Sequence, residues 1–261
     1  MFVRRIEEVL RRTGTIPSVT SGAGEQGERD DEHVPIWARQ RGRRASTLTR
    51  EAIVEAAMEI ADAEGADAVS IRRVAAALGA RTMSLYTYID SKNDLFDLMA
   101  DQVAGEVLIT DELPSGWREA ITVIARRERE VGLRHPWIVD MAKHRAHAMV
   151  GPNLLRHLDQ ALGALAGLKL EPREALKVME AVDDYMFGFT AREAREREIT
   201  RRAGPDEADR WSAFQPYLRE LIDSGEFTSI APLLRGDVQA AESDFEQGLR
   251  WLLDGIEREY T

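Results

Sequence analysis

The sequence predicts an all-α protein in which a small N-terminal helix-turn-helix domain is followed by a larger helical domain. Apolar residues recur at helical spacing through most of the chain after residue 49. Helix-capping residues and glycines punctuate the first part of this region. No segment shows the alternation of apolar and polar residues that is typical of a strand.

The composition is that of a globular protein in a reducing compartment. The chain has 261 residues, of which 44% are hydrophobic, and it contains no cysteine, which excludes disulfide bonds and thiolate metal sites. No apolar run approaches the roughly 18 residues that span a membrane. The basic N-terminus is interrupted by Glu7 and Glu8, unlike a secretory signal. We therefore expect a cytoplasmic protein without a membrane partner.

Charge is distributed unevenly along the chain. Residues 39–92 carry nine basic and seven acidic side chains, a net charge of +2. Residues 93–261 carry twenty-one basic and thirty-two acidic side chains, a net charge of −11. The acidic residues 93–261 would repel DNA and so orient the basic segment 39–92 towards the DNA.

Composition shifts divide the chain into four segments. These are an N-terminal extension with a flexible linker at 1–33, a basic arm at 34–48, the helix-turn-helix domain at 49–97 and the larger helical domain at 98–261. Within the extension, residues 2–10 predict a short amphipathic helix and residues 13–32 a flexible linker. Gly22 to Gly27 spell G-x-G-x-x-G, but no strand precedes them and no helix follows, so we do not expect a dinucleotide site.

Capping signals define the first helices. Thr49 is predicted to cap the first helix and Gly65 to end it, and Ser70 and Gly79 bound the second. Arg81 to Tyr88 form the third. Ser91 caps a fourth, with Asp94 as its capping-box partner and an apolar stripe at Leu95, Leu98, Met99 and Val103.

Only helices are predicted after Trp117. Breaks at proline and glycine place them at about 117–134, 136–149, 152–166, 172–198, 206–223 and 238–259. The two long late helices carry apolar residues at helical spacing, which are Leu176, Met179, Val182, Met186 and Phe189 in one and Phe245, Leu249, Leu252, Leu253 and Ile256 in the other. They either form a surface for a second copy or bury each other within one chain.

The third helix has the surface chemistry of a DNA-reading element. Leu85 and Ile89 are expected to face the core, which leaves hydroxyl and tyrosine side chains on the outside. Hydroxyls bond to base edges or phosphates, and a threonine methyl group can contact thymine. The candidate DNA-contacting residues of the domain are Arg72, Arg73, Arg81, Thr82, Ser84, Tyr86, Thr87, Tyr88 and Lys92. The alternatives are a packing role for Tyr86, a hydrogen bond to the backbone for Ser84 and a solvated charge for Arg81.

The basic arm is a second candidate DNA contact. It contains Arg39, Arg41, Arg43 and Arg44 on an expected flexible segment. Arginine arms of this kind enter narrow A·T-rich minor grooves. The alternative is a solvated linker.

Residues 49–98 resemble the N-terminal domain of the tetracycline-repressor (TetR/AcrR) family, in particular actinobacterial members. The residues that carry the resemblance are Ala56, Ala57, Gly65, Ser70, Val74, Ala75, Leu78, Gly79, Ser84, Leu85, Tyr86, Tyr88, Ser91, Lys92 and Leu95. The resemblance implies a homodimer that binds a palindromic double-stranded DNA operator. It also implies that residues 98–261 form a ligand-binding and dimerisation domain.

For a small-molecule effector, we consider aromatic, methionine and isolated polar residues on otherwise apolar helices. The candidates are Trp137, Met141, His144, His147, Met149, Asp183, Tyr185, Met186, Phe187 and Trp211. Core or surface roles are the alternative for each. His144 and His147 can share a helix face, but further metal ligands are not evident, so we expect no metal site.

The main hypothesis is a ligand-responsive repressor, released from DNA by an amphipathic effector such as a natural product, that controls an exporter or biosynthetic genes. The alternative is an architectural or cell-cycle DNA-binding protein with the same N-terminal domain and no effector. We find no nucleophile motif, phosphate loop or H-E-x-x-H, and we predict neither catalytic residues nor a cofactor. The acidic pairs Glu128/Glu130 and Asp183/Asp184 are interpreted as solvated helix faces or caps.

Overall fold

The computed structural model describes residues 36–38, 48–144, 151–202, 205–235 and 244–261. Within these ranges all regular structure is helical, which confirms the all-α prediction. The predicted N-terminal helix, the linker and the four arginines of the arm lie outside the described residues. None of the described helices is long and apolar enough to cross a membrane.

The N-terminal domain, called the head below, contains three short helices. They are α1 (Arg50–Glu64), α2 (Ile71–Ala77) and α3 (Thr82–Leu85), with a 3-10 turn at Ala66–Ala68 between α1 and α2. The predicted caps are confirmed, because the Thr49 hydroxyl accepts from the Ala52 N–H at 3.1 Å and the Ser70 hydroxyl from the Arg73 N–H at 3.2 Å. These bonds satisfy backbone donors that a helix start leaves open.

The third helix is shorter than predicted. Its α-helical part ends at Leu85, and residues 86–88 continue as a turn. The turn is held by the N–H of Tyr88, which donates to the carbonyl of Leu85 at 2.8 Å. Tightening of the last helical turn in this way is common at helix ends.

The basic arm contains a short element that the sequence does not predict, because Ile36–Ala38 form a 3-10 turn. Ile36 is 1% exposed and packs into the core of the head. The apolar Ile36 side chain gains more from this burial than from remaining in solvent. The arm is therefore anchored immediately before its arginines.

Helix α4 (Lys92–Val107) connects the head to the rest of the chain. The Ser91 hydroxyl accepts from the Asp94 N–H at 3.1 Å, as predicted. The Asp94 carboxylate accepts from the N–H of Asp90 at 3.1 Å, one residue before the position of a standard capping box. All four residues of the predicted apolar stripe are buried.

The larger domain, called the body, is formed by helices in the predicted order. They are α5 (Trp117–Arg134), α6 (Trp137–His144), α7 (Pro152–Ala164), α8 (Pro172–Arg202), α9 (Pro205–Asp223), α10 (Ala231–Arg235) and α11 (Phe245–Tyr260), with a 3-10 turn at Leu165–Leu168. Helix α8 is longer than predicted, α11 starts later, and the short α10 was not predicted. Five residues are too few for a periodic signal.

Two clusters of buried residues form the interior. The head core includes Ile53, Val74 and Leu85 and extends to Val131 and Trp137 of the body. The body core joins α5, α7, α8 and α11 and includes Met179 and Leu249. The buried apolar side chains of the two long late helices, among them Met179 and Leu249, pack together within one chain.

Candidate nucleic-acid interface and internal cavity

The outer face of α3 and of the turn after it forms the candidate DNA interface. Leu85 and Ile89 are fully buried, as predicted, and fix the orientation of this segment. Arg81, Ser84 and Thr87 are exposed, Thr82 is half-buried, and Tyr86 is 42% exposed. A short helix held by two buried side chains thus presents hydroxyl, phenol and guanidinium groups outward.

Met83 also belongs to this face, although the sequence did not predict it as a candidate DNA contact. It is 75% exposed, the most exposed of the large apolar side chains described. The missed signal was its position between Thr82 and Ser84, both already assigned to the outside. A flexible thioether in this place can contact thymine methyl groups and sugars.

Gly79 sets the angle between α2 and α3. Its φ of 61° lies in the left-handed region that favours glycine, although among the described residues other than its two chain neighbours no atom lies within 4 Å of where its Cβ would be. After it, the N–H of Ala80 donates to the carbonyl of Ala75 at 2.8 Å. This local geometry is what makes the segment a helix-turn-helix.

The basic residues predicted around α2 and α4 differ in their surroundings. Arg72 is exposed, whereas Arg73 donates to both carboxylate oxygens of Glu64, one of them at 2.9 Å. This hydrogen bond, with the charge of Arg73, lowers the pKa of the Glu64 carboxyl. Lys92, at the start of α4, lies with Nζ 4.9 Å from the centre of the Phe96 ring. Tyr88 is half-buried against the head core.

A narrow cavity lies inside the body between α5, α7 and α8. The space that the centre of a water molecule can occupy is about 10 Å³, which is enough for a single water. Apolar side chains form most of its wall, and Glu128 and Asp183 are its polar lining. A drug-sized molecule would have to move the helices apart to enter it.

A cluster of ionisable side chains borders this cavity. Glu128 of α5 is 7% exposed, and its Oε1 is 2.6 Å from Nε2 of His157 on α7. The solvated-face interpretation of Glu128 is therefore wrong, because the carboxylate points into the body core. His157 was not predicted as part of a site, because pairing between helices that are distant in the sequence leaves no local signal. The burial of Glu128 was not predicted for the same reason.

Of the predicted ligand-contacting residues, Asp183 lines the cavity. Its interpretation as part of a solvated face is corrected accordingly. Trp137 and Met141 do not line it, because both are buried in the head core. Met186 is half-buried and Phe187 is 36% exposed. Tyr185 donates to the carbonyl of Phe245 at 2.8 Å. The side chains of His144, His147, Met149 and Trp211 lie outside the described residues.

Polar contacts join the head to the body at the α5–α6 turn. Asp62 of α1 accepts hydrogen bonds through Oδ1 from Nδ1 of His135 at 2.7 Å and from Nε1 of Trp137 at 2.6 Å. Nε2 of the same histidine is 3.2 Å from Oε2 of Glu106, on α4. His135 is 4% exposed, so these bonds are shielded from water.

Helix α4 is also joined to α7. Asp101 of α4 accepts through Oδ1 from the N–H groups of Asn153 and Leu154 at 3.0 and 3.1 Å, which caps the start of α7. Burial raises the pKa of Asp101, and these two bonds offset part of the rise. A Cβ on Gly151 would lie 2.1 Å from Oδ1 of Asp101, so only glycine allows this approach.

Family models match both halves of the chain. Residues 53–99 match the model described as bacterial regulatory proteins of the tetR family, and residues 111–260 match the C-terminal domain of tetracyclin repressor-like proteins. Among the described residues, no group of three or more metal-ligating side chains is placed to hold a metal ion.

Several known proteins are similar over most of the chain. The HTH-type transcriptional repressor DrrR1 of Streptomyces coeruleorubidus is 35% identical, over 83% of this chain and 82% of its own. The class A tetracycline repressor of transposon 1721 in Escherichia coli is 24% identical, over 80% and 90%. The structure of ActR from Streptomyces coelicolor with actinorhodin superposes with a TM-score of 0.62 at 26% identity, over 82% and 99%.

Proposed function

Because the chain belongs to the tetracycline-repressor family, we propose that it is a ligand-responsive transcriptional repressor that binds a palindromic operator in the cytoplasm. The observation that carries the proposal is the outward face of α3, where Met83 and Tyr86 are exposed while Leu85 is fully buried. The 42% of Tyr86 that is exposed is available for a contact with DNA, which supports the proposal. The relatives are named as regulators and repressors, and we propose no reaction.

We propose that two copies act together, since one three-helix head covers too few base pairs for specific recognition. Two heads would read half-sites about 34–36 Å apart. The apolar side chains left outside the body core support this assembly. Trp251 on α11 is 64% exposed, and Ile199 and Phe187 on α8 are 47% and 36% exposed.

An amphipathic effector would act by widening the cavity. The ActR structures hold actinorhodin and (S)-DNPA, which shows that a similar fold accommodates small molecules in that protein. Here, displacement of α7 would be passed to α4 through Asp101, and displacement of α5 would reach α1 through His135 and Asp62. The head separation that fits the operator then becomes less populated. We propose exporter or biosynthetic genes as the targets.

Selection of bound sequences from a random DNA pool tests the function, and an inverted repeat is the expected product. Tyr86→Ala should weaken binding to all selected sites alike, by about tenfold or more, because a phosphate contact carries no sequence information. Tyr217→Ala is the matched control, since Tyr217 is 53% exposed but lies on α9. Enrichment of no inverted repeat would refute the proposal.

The arm requires a separate experiment that keeps its anchor. Removing residues 1–45 would also remove Ile36 from the head core, so Arg39, Arg41, Arg43 and Arg44 should be replaced by glutamine instead. The plot of log K against log salt should become less steep by about 0.9 for each phosphate that the arm no longer neutralises. An unchanged slope would exclude the arm from the interface.

A further inference from the structure

Two buried polar atoms of the body core take part in no hydrogen bond with another described residue. Oε2 of Glu128 and Nδ1 of His157 are buried and have no hydrogen-bond partner among the residues that the structure describes, although the same two side chains meet at 2.6 Å through their other atoms. A buried carboxylate oxygen left unpaired costs about 1–3 kcal/mol or more. Native proteins keep few such groups, and those they keep commonly serve a function.

The unpaired oxygen lies where a third ionisable group is close. Glu128 and Asp183 line the same cavity, from α5 and α8. Burial, the charge of Glu128 and the charge of Asp184 raise the pKa of Asp183 to about 8, and His157 offsets part of this rise. Asp183 is therefore mostly protonated at neutral pH while the cavity holds no ligand.

The bond to Glu128 favours the charged form of His157. Burial lowers the pKa of His157, but the hydrogen bond and charge of Glu128, with a contribution from Asp183 when it is ionised, raise it by more, so that the net shift is upward. Glu128 and His157 then form one ion pair, and Asp183 stays neutral beside it. A cation that enters the cavity would favour ionisation of Asp183 and contact two carboxylates, whereas an anion would meet the negative charge of Glu128 and keep Asp183 neutral.

The rest of the wall restricts the ligand further. Ile121, Leu165 and Met179 are among the side chains that line the cavity, and they offer no hydrogen bond. A ligand that fills this space is apolar over most of its surface and polar at one end.

We infer that Glu128 and Asp183 bind a protonated amine, and that the effector of this protein is an amphipathic amine. The inference rests on the proposed function, because it specifies the chemistry of the effector that the repressor would sense. His157 is a positioning residue in this site, since its bond to Oε1 directs the other oxygen of Glu128 to the ligand.

Three probes that share one ring system test this preference in the full chain. They are 9-(aminomethyl)anthracene, 9-anthracenemethanol and anthracene-9-carboxylate, and binding is measured at pH 7 by anthracene fluorescence and by the rise in Tm. The amine should bind about tenfold more tightly than the alcohol, and the carboxylate most weakly. Amine binding should also release a proton from Asp183, which calorimetry in buffers of different ionisation enthalpy detects.

Variants separate the site from unspecific binding. Glu128→Gln and Asp183→Asn should each weaken amine binding about tenfold and leave alcohol binding unchanged. Asp184→Asn is the control, because Asp184 is exposed next to Asp183 in the chain and its charge makes the smallest contribution to the raised pKa of Asp183. Equal binding of amine and carboxylate, amine binding insensitive to both variants, or binding of none of the three probes would overturn the inference.

Parallel binding to the selected operator distinguishes this failure from failure of the proposed function. A protein that binds the inverted repeat but shows no amine preference remains a repressor with another effector. A protein that binds the amine through Glu128 and Asp183 but no inverted repeat keeps the amine site and loses the proposed function.

Discussion

The head and the body treat their polar side chains differently. In the head, Thr49, Ser70 and Ser91 each accept from a backbone N–H three residues later, so the bonds are local and complete helix starts. In the body core, Glu128 and His157 come from different helices, and each keeps one buried atom without a hydrogen bond to any other described residue. The capping bonds of the head thus support folding, while these two unpaired atoms oppose it unless a ligand contacts them.

Removal of one leucine from each core has the largest expected effect. Leu85 is 0% exposed and Leu249 is 1% exposed, so either change to alanine should lower the free energy of unfolding by about 2–5 kcal/mol in urea titrations. Leu155→Ala, at a site 48% exposed, is the control and should change it by about 0.5 kcal/mol or less.

The same two variants test whether the cores are separate. Leu85→Ala should also lose affinity for the selected operator, because Leu85 orients the α3 face, whereas Leu249→Ala should keep that affinity while folded. Equal loss of affinity in both variants would mean that the two cores act as one unit.

The head and the body are also expected to differ in how their stability depends on pH, which is the second largest effect. Asp183 titrates at about 8 in the folded chain because burial, with Glu128, opposes its charge, and its ordinary pKa is 3.8. Between these values the folded state binds the extra proton, so the free energy of unfolding falls as pH rises, by at most about 1.4 kcal/mol per pH unit. Asp183→Asn should remove most of this fall between about pH 5 and 7, and Asp184→Asn should not.

The head should respond in the opposite direction. Because the bond to Arg73 lowers the pKa of Glu64 from 4.5, the stabilisation it gives is present above that pH and is lost as the pH falls further. Glu64→Gln should therefore change the plot of unfolding free energy against pH only at its acidic end.

For the neutral range, the contradicting outcome concerns Asp183. If the plots of Asp183→Asn and of the unmodified chain superimpose, the pH dependence in that range does not come from the body.

This contrast also explains how much the sequence could predict. Capping residues, glycine stops and apolar spacing act within a few residues, and so the helices from Thr49 to Val107 are predicted closely, apart from the early end of α3. The outer face of α3 follows from the same period, apart from Met83, whose apolar character hid its exposure. The family resemblance supplied the expectation of an internal ligand site.

The position of the cavity depends on contacts that sequence spacing does not contain. Trp137 is an aromatic residue of the kind that lines ligand sites. It is instead buried in the head core, where its N–H donates to Asp62. Glu128 lies in an arginine- and glutamate-rich stretch of α5, yet α7 covers it through His157. Such pairings become visible only when the helices are packed together.

The contact between the two regions gives the last and smallest effect. Asp62→Asn replaces one acceptor that serves both His135 and Trp137 and should cost about 1–2 kcal/mol, because bonds to a charged group are among the stronger ones but this side chain is 34% exposed. Trp137→Phe keeps most of the ring packing, removes only the N–H donor, and should cost about 1 kcal/mol. Asp67→Asn, at an exposed position in the same domain, is the control for a lost charge. If urea titrations find both junction variants as stable as the control, apolar packing alone holds the head on the body, and the path from α5 to α1 loses its physical basis.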